Sequence, residues 1–491
     1  MENIILIIED LFSTTFKIIL FYRIIKWQGF LFGFPFFILL FSCYRIIISK
    51  IFKLIPLTPL DICFYSNNNS NRFNIISILE INNFNYEIIK NTFINKSIKN
   101  IKKLRLKLIY KFYNYYWKEF DIENIIKNVF IYKEIPHNNF NTYINQEINS
   151  FIDVNKHFPY EIHCIKFTNP NNNNKGAILF KFDHLMSDGL SMISLICSLD
   201  RNYSLDLFPS LMKSSQPLST FKNLLIWISF PFLGPYSLYL LFFTHCNLTP
   251  FREKINNNIN NNFSLSFGKF HLLQKFNEKR KKINVSFNQA FMSIISNSVY
   301  KICIDVYKDN ANKCNGIKCM MPIGRKKIQT NYKKIILNNT TNFIFTKLNL
   351  ITNINNISEI QQNSITLKNE INNYLLNNTY LNWAKVLGRF ISFRIINFFA
   401  NLYCRNVDLV VSNVPGPVKK IFIGNDDTYC EIDKIYACCS PGREIPFIIV
   451  MSYNNEFVTS VTISKKYNVD EKKFIMFIDE GIEEFINNEN Y

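Results

Sequence analysis

The chain of 491 residues lacks most of the signatures that would settle a function at once. There is no Gly-x-Ser-x-Gly elbow, which argues against a hydrolase-type serine nucleophile on a strand-to-helix turn. Twelve cysteines are scattered without metal-ligand spacing; Cys438-Cys439 is an adjacent pair and Cys314-x4-Cys319 is isolated. The expectation is therefore no metal, and reduced, mostly buried thiols in a cytosol-facing protein rather than disulfides. No secretory signal opens the sequence, because Glu2, Glu9 and Asp10 precede any clean apolar run. No internal repeat is visible. No nucleic-acid-binding motif accompanies the basic charge, so a nucleic-acid partner is set aside.

What is present is large, apolar and basic. Hydrophobic residues make up 48%, including 48 Phe and 25 Tyr, which excludes wholesale disorder. The length allows two lobes with a sizeable core. The net charge of +19 is spread along the chain, with clusters at Lys96–Lys107 and Lys275–Lys282. These read as solvated helix faces, or else as surfaces drawn to anionic lipid or phosphate groups. The abundance of Asn and Ile, with runs such as Asn171 to Asn174, looks compositional and carries no functional weight.

One stretch organises the rest, Ala177 to Leu199. Its first half alternates, so Ile178, Phe180, Phe182 and His184 should share one strand face, and Leu179, Lys181 and Asp183 the other. The pattern breaks at Ser187-Asp188-Gly189, and apolar residues then return at helical spacing. A strand thus ends in His184, turns, and feeds a helix. An imidazole with a pKa near ~6.5 suits removal of a hydroxyl proton near neutral pH, the step that acyl transfer to an alcohol requires. Asp188 lies beyond the turn and should fix it, by a buried ion pair or by capping the helix, while Gly189 serves the turn geometry. His163 and His271 have no partners in sequence and read as structural.

Around this stretch the chain divides into 1–55, a hydrophobic membrane segment; 56–223, a first lobe; 224–263, a hydrophobic crossover and linker; and 264–491, a second lobe. Gly29 to Ile48 approaches the roughly 20 residues that span a bilayer, with Pro35 as a possible kink. Leu224 to Thr244 is a second apolar run, broken by Pro231, Gly234 and Pro235, and reads as a re-entrant hairpin or an interlobe crossover. Tyr86 to Tyr110 reads as a basic amphipathic stretch. Strands are expected at Phe73 to Glu80, Tyr160 to Phe167, Ile317 to Ile323, Phe447 to Tyr453 and Phe457 to Ser464. Helices are expected near Thr142 to Phe151, Val285 to Cys303, Ile357 to Leu376, Trp383 to Tyr403 and Glu471 to Asn487. Asn338 to Phe343 reads as an Asn/Thr turn, and the mixture as an α/β layered fold.

His184-x-x-x-Asp188-Gly189 resembles the active-site motif of CoA-dependent acyltransferases. Four further stretches follow in family order. Pro59-Leu60-Asp61, Asn288 at a helix start, Met321-Pro322-Ile323-Gly324-Arg325 and Ser412-Asn413-Val414-Pro415-Gly416-Pro417 are similar to segments of the wax ester synthase/diacylglycerol acyltransferases. The resemblance covers about Pro56 to Tyr491. Two departures stand out: Asp183 replaces the first histidine of the usual pair, and Gln289 stands where the family has Asp. Alternation aims residues 183 and 184 oppositely, so the first change should leave the base in place.

The resemblance implies an α/β fold of two chloramphenicol-acetyltransferase-like lobes with a tunnel between them. It implies transfer of a long acyl chain from acyl-CoA, a co-substrate rather than a bound cofactor, to diacylglycerol or a fatty alcohol. His184 would be the general base and Asp188 its structural support. Asn288, Ser412 and Asn413 would be substrate-side residues or oxyanion donors; each also reads as an ordinary strand-end or helix-start residue. Membrane lipid is an expected partner, with the lobes on the cytosolic side of the endoplasmic reticulum or at a lipid droplet. The rival expectation is a catalytically inactive lipid-binding or tethering protein of the same fold.

Overall fold

The computed structural model describes residues 53–488 except 66–72, 112–113, 169–173, most of 210–248, 252–261, 309–313, 315, 325–327, 373–406, 441 and 443, together with scattered positions between 15 and 52. Ile55–Pro56 (β1) starts a small three-stranded sheet, and Pro59–Phe64 (α1) follows. Asn74–Asn82 (β2), Tyr86–Thr92 (α2), Leu106–Lys111 (β3), Asn114–Glu119 (β4), Ile122–Val129 (α3) and Phe130–Ile135 (β5) come next. Phe140–Asn149 (α4), Tyr160–Phe167 (β6), Gly176–Asp183 (β7) and Gly189–Ser198 (α5) complete the first half.

The second half runs Phe263–Phe267 (β8), His271–Leu272 (β9), Leu273–Lys282 (α6), Phe287–Tyr307 (α7), Ile317–Ile323 (β10), Asn342–Leu348 (β11), Ile357–Asn372 (α8), Leu409–Val414 (β12), Phe422–Gly424 (β13), Tyr429–Cys439 (β14), Phe447–Tyr453 (β15), Glu456–Ser464 (β16) and Glu471–Asn487 (α9).

Two large sheets result. The first has the order β13-β14-β2-β7-β6-β5 and the second β11-β10-β12-β15-β16-β8, with β9 beside β16; the small sheet is β1-β4-β3. The chain therefore crosses over: β14, from the second half, pairs antiparallel with β2 along its length, and Asn74 N–H donates to Ser440 Oγ at 3.0 Å. A linear division between 263 and 264 does not foresee this exchange. Asp200 secures it, its Oδ2 accepting from Phe422 N at 2.9 Å.

β7 is the axis of the first sheet, and every one of its residues is buried. Ile178, Phe180 and Phe182 pack with Met192, Ile193 and Ile196 of α5 on one face. Ala177 and Leu179 pack with Phe140, Tyr143 and Ile144 of α4 on the other. Each buried aromatic or branched side chain contributes on the order of 1.5–3 kcal/mol, so register is firmly set. The second sheet packs α7 and α9 on one face, through Phe291, Ile294, Phe474 and Ile482.

Several expectations shift. The basic amphipathic stretch Tyr86 to Tyr110 divides: α2 passes into a π-helical turn at Phe93–Ile98, a 3-10 turn at Lys102–Arg105 and then β3. Ile98, Ile101 and Leu104 are drawn into the core, and burial outweighs helical periodicity there. Most of the 29–48 segment and of the 224–244 run lies outside the described residues, as do Trp383 to Tyr403 and Arg325. Among the described residues no helix is long and apolar enough to cross a membrane.

Candidate active site

His184 follows the last residue of β7, and its position is fixed from three sides. Its backbone N–H donates to Phe73 O at 2.8 Å. Leu185 is buried in the cluster of the small sheet, with Leu57, Tyr65 and Trp117, and its N–H donates to Asp183 Oδ1 at 2.9 Å. The imidazole stacks on Phe64 of α1, centroids 3.8 Å apart at 14°, and meets the edge of Phe73 at 4.9 Å. Phe73 touches Phe447 of β15 at 5.5 Å, and Phe64 touches Phe343 of β11 at 6.4 Å. The ring therefore stands where the two large sheets meet.

The residue is half-buried, while Nδ1 is enclosed and has no hydrogen-bond partner. That leaves Nε2 as the nitrogen for an incoming group. Burial pushes the imidazole down to about 4, against the pull of its own carbonyl, Asp188, Asn339 and Asp61. The ring is thus neutral at physiological pH and carries a lone pair able to accept a proton.

Asp188 does not touch the ring in any hydrogen bond. Its Oδ1 caps α5 by accepting from Ser191 N at 2.9 Å. Its Oδ2 accepts from Thr340 N at 2.8 Å, Thr340 Oγ1 at 2.9 Å and Thr341 Oγ1 at 3.1 Å. The carboxylate welds the turn after the histidine to the Asn338–Thr341 segment of the other half. A Cβ at Gly189 would lie 3.5 Å from Val414 Cγ2, and one at Gly324 would collide with Leu190 Cδ1 at 2.2 Å. Of these, the glycine of Pro415-Gly416-Pro417 is the one that backbone approach requires, since a Cβ there would sit 1.9 Å from Ser452 O, whereas 3.5 Å at Gly189 is ordinary contact. Segments hundreds of residues apart in sequence thus converge on the first turn of α5.

Asn288 and Asn413 come together: Asn413 Nδ2 donates to Asn288 Oδ1 at 2.7 Å, tying the start of α7 to the end of β12. Alternation along β12 places Ser412 on the opposite face, with Val410 and Val414, toward the core that contains α5. Gln289 completes a capping box, Ser286 N–H donating to its Oε1 at 2.7 Å, and its Nε2 donates to Ser364 O at 2.8 Å. A glutamine at this position performs the cap without a charge. Asp183 is buried on the α4 side of β7, away from the ring.

Sequence reasoning missed Asn339. It is buried, and its Nδ2 donates to Asp61 Oδ1 at 2.9 Å, His184 O at 2.9 Å and Leu185 O at 3.4 Å. Asp61, fully buried at the heart of Pro59-Leu60-Asp61, also takes Lys103 Nζ at 2.9 Å. The only signal in sequence was the polar Asn338-Asn339-Thr340-Thr341 run, read as a turn. A cavity of about 700 Å³ lies elsewhere, between Glu80, Asn145, Phe267, Tyr436 and Lys472, and none of the motif residues lines it.

Residues 338–485 match the model of the WS/DGAT C-terminal domain. The match includes Asn339, Thr340, Asn413 and the Pro-Gly-Pro turn, and the resemblance to the wax ester synthase/diacylglycerol acyltransferases is shown by it together with the fold. A wax ester synthase/diacylglycerol acyltransferase from Marinobacter aquaeolei VT8 superposes with a TM-score of 0.59 at 12% identity, covering 89% of this chain and 100% of that one. The trichothecene 15-O-acetyltransferase TRI3 from Fusarium sporotrichioides gives 0.59 at 9% identity, covering 87% and 94%. The starter condensation domain of rhizomide synthetase gives 0.54 at 9%, covering 89% and 95%. At such identities these likenesses show the fold: mixed α/β, as in the two-lobed acyltransferases. No curated protein matches the sequence at a significant level. Upstream of the WS/DGAT domain, His184 and α5 supply the surface against which Asn338–Thr341 docks.

Proposed function

We propose that the chain is an acyl-CoA-dependent O-acyltransferase that moves a long acyl chain onto a lipid hydroxyl, with His184 as general base. The observation that carries this reading is the neutral imidazole at the end of β7, stacked on Phe64 at the seam of the two sheets, in a chain with a WS/DGAT C-terminal domain. In the proposed reaction Nε2 takes the hydroxyl proton as the alcohol oxygen attacks the thioester carbonyl. The oxyanion collapses, the carbon–sulfur bond breaks, and the imidazolium returns the proton to the CoA thiolate, so no acyl-enzyme is needed. The Asn288–Asn413 pair and, from the opposite face of β12, Ser412 are proposed as alternative substrate-side residues and oxyanion donors.

Diacylglycerol, giving triacylglycerol, is the first acceptor proposed, and a fatty alcohol, giving wax ester, the second. A membrane or lipid-droplet surface suits both, and the helical residues 46–52 expose Ile46, Ile47, Ile51 and Phe52 beside Lys50 and Lys53. The protein given labelled palmitoyl-CoA with diacylglycerol or hexadecanol should form the labelled neutral lipid. Lipid binding without turnover of either acceptor would replace this reading with that of an inactive lipid-binding protein.

A further inference from the structure

Behind His184 stands a chain of buried polar groups that the proposed reaction does not yet use. Lys103 Nζ meets Asp61 Oδ2 at 2.9 Å, and Asp61 Oδ1 accepts from Asn339 Nδ2 at 2.9 Å. The same amide donates to His184 O at 2.9 Å. Asp61 and Asn339 are buried, and Lys103 is further held over the Trp117 ring at 4.4 Å. Two atoms in this region lack partners although both are buried: Asn339 Oδ1 and His184 Nδ1. Burial lowers the pKa of the ring, and its own carbonyl, Asp188, Asn339 and Asp61 pull it back toward the charged form in that order; the carbonyl is the one to which Asn339 Nδ2 donates. A buried acceptor left unpaired costs on the order of 1–3 kcal/mol, which makes an orphan pair beside a proton-accepting ring a place to look for function.

We propose that Asn339 is a positioning residue for His184, its Oδ1 accepting the Nδ1–H hydrogen of the imidazolium that forms when Nε2 takes the alcohol proton. Asp61 is the charge behind it: by accepting from Asn339 Nδ2 it polarises the amide, so that Oδ1 becomes a better acceptor as the ring turns positive. Lys103 holds Asp61 in place through the 2.9 Å contact. The proton count is unchanged by this device, since Nδ1 keeps its hydrogen and Nε2 gains and then releases one. The imidazolium is stabilised without a carboxylate touching the ring, which leaves the resting imidazole neutral and ready. Asp188, which the sequence places nearer to His184, accepts from Ser191, Thr340 and Thr341 and acts on the turn instead.

This inference rests on His184 being the base, and the test separates the two. Full-length protein, wild type and the variants His184→Ala, Asn339→Ala and Asp61→Asn, is assayed with palmitoyl-CoA and a saturating alcohol in brief initial-rate measurements from about pH 3 to 9, with melting measured alongside. Asp61→Asn keeps the shape of the buried side chain. It is expected to lower kcat about 10-fold or more, the scale of impaired proton transfer, with little change in KM for palmitoyl-CoA. It should also move the acid limb of kcat/KM to lower pH by about half a unit or more, because a group that favours the charged ring has been weakened. Asn339→Ala is expected to do the same more strongly. If His184→Ala is inactive while both variants leave the acid limb in place and lose rate only as they lose melting temperature, the positioning role is overturned and the base stands. If His184→Ala keeps full activity, the reaction itself is misassigned.

Discussion

Two histidines, one on β6 and one just past the end of the neighbouring β7, are treated in opposite ways. His163, on β6, is buried with both ring nitrogens engaged: Nδ1 with Tyr143 OH at 2.6 Å and Nε2 with Glu161 Oε2 at 3.1 Å. Around it Lys181 Nζ meets Glu147 at 2.9 Å and Glu161 at 3.8 Å, so one ammonium faces both carboxylates. Burial pushes both carboxyls up, but Lys181 and His163 outweigh it and hold them below the usual range. His163 with Glu147 and Glu161 has the spacing of a metal site, yet the Lys181 ammonium already supplies the positive charge there. His184, one strand over, has no carboxylate on its ring, an enclosed Nδ1 and aromatic walls. A histidine satisfied on both sides spends its polarity on the fold, whereas one left unsatisfied at a seam keeps it for a substrate.

The largest difference should appear in turnover. His184→Ala is expected to lose on the order of 10²-fold or more of acyl transfer, the scale of general-base catalysis, while its melting stays close to wild type. A comparable loss of rate per folded molecule in a His163 variant would break the contrast. Asp188→Ala should harm folding and activity together. It strips one helix cap and three interlobe hydrogen bonds, a loss of about 3 kcal/mol or more, read by denaturant unfolding; lost rate at unchanged stability would assign Asp188 a direct role.

The pH dependence sharpens the same contrast. Because burial holds His184 at about 4 in the folded protein, against ~6.5 unfolded, the unfolded chain takes up the proton first as pH falls. Wild type should therefore lose stability between pH 6.5 and 4, by roughly 3 kcal/mol more than His184→Phe over that window. Equal losses would show that the ring is not held neutral. His163→Leu has the smallest expected effect, about 2 kcal/mol of stability, from removing the imidazole partner of the Tyr143 hydroxyl and leaving Glu161 only Lys181, with kcat per folded molecule unchanged.

Much of the site was legible in sequence because its signals are local. Alternation over 178–184 follows from the two-residue period of a strand, and the break at Asp188-Gly189 from a cap and a turn, so the strand end, the histidine and the following helix could be read directly. The strands 160–167, 317–323 and 447–453 were readable for the same reason. The division of Tyr86 to Tyr110 into helix, turns and strand was not legible, because its apolar residues serve a core that only the folded chain supplies.

What the amino-acid order determined on its own is therefore the imidazole, its strand and the turn behind it, since each depends on neighbours within a few residues. Only the tertiary structure decided its surroundings. Asn339 reaches His184 from 155 residues away, Asp188 is gripped by threonines 152 and 153 residues distant, and β14 crosses into the first sheet beside β2. The physical reason is that hydrogen bonding, burial and desolvation act through space. A polar group's partners, and so its pKa and its work, are set by whichever segments the packing of the two sheets brings within about 3 Å.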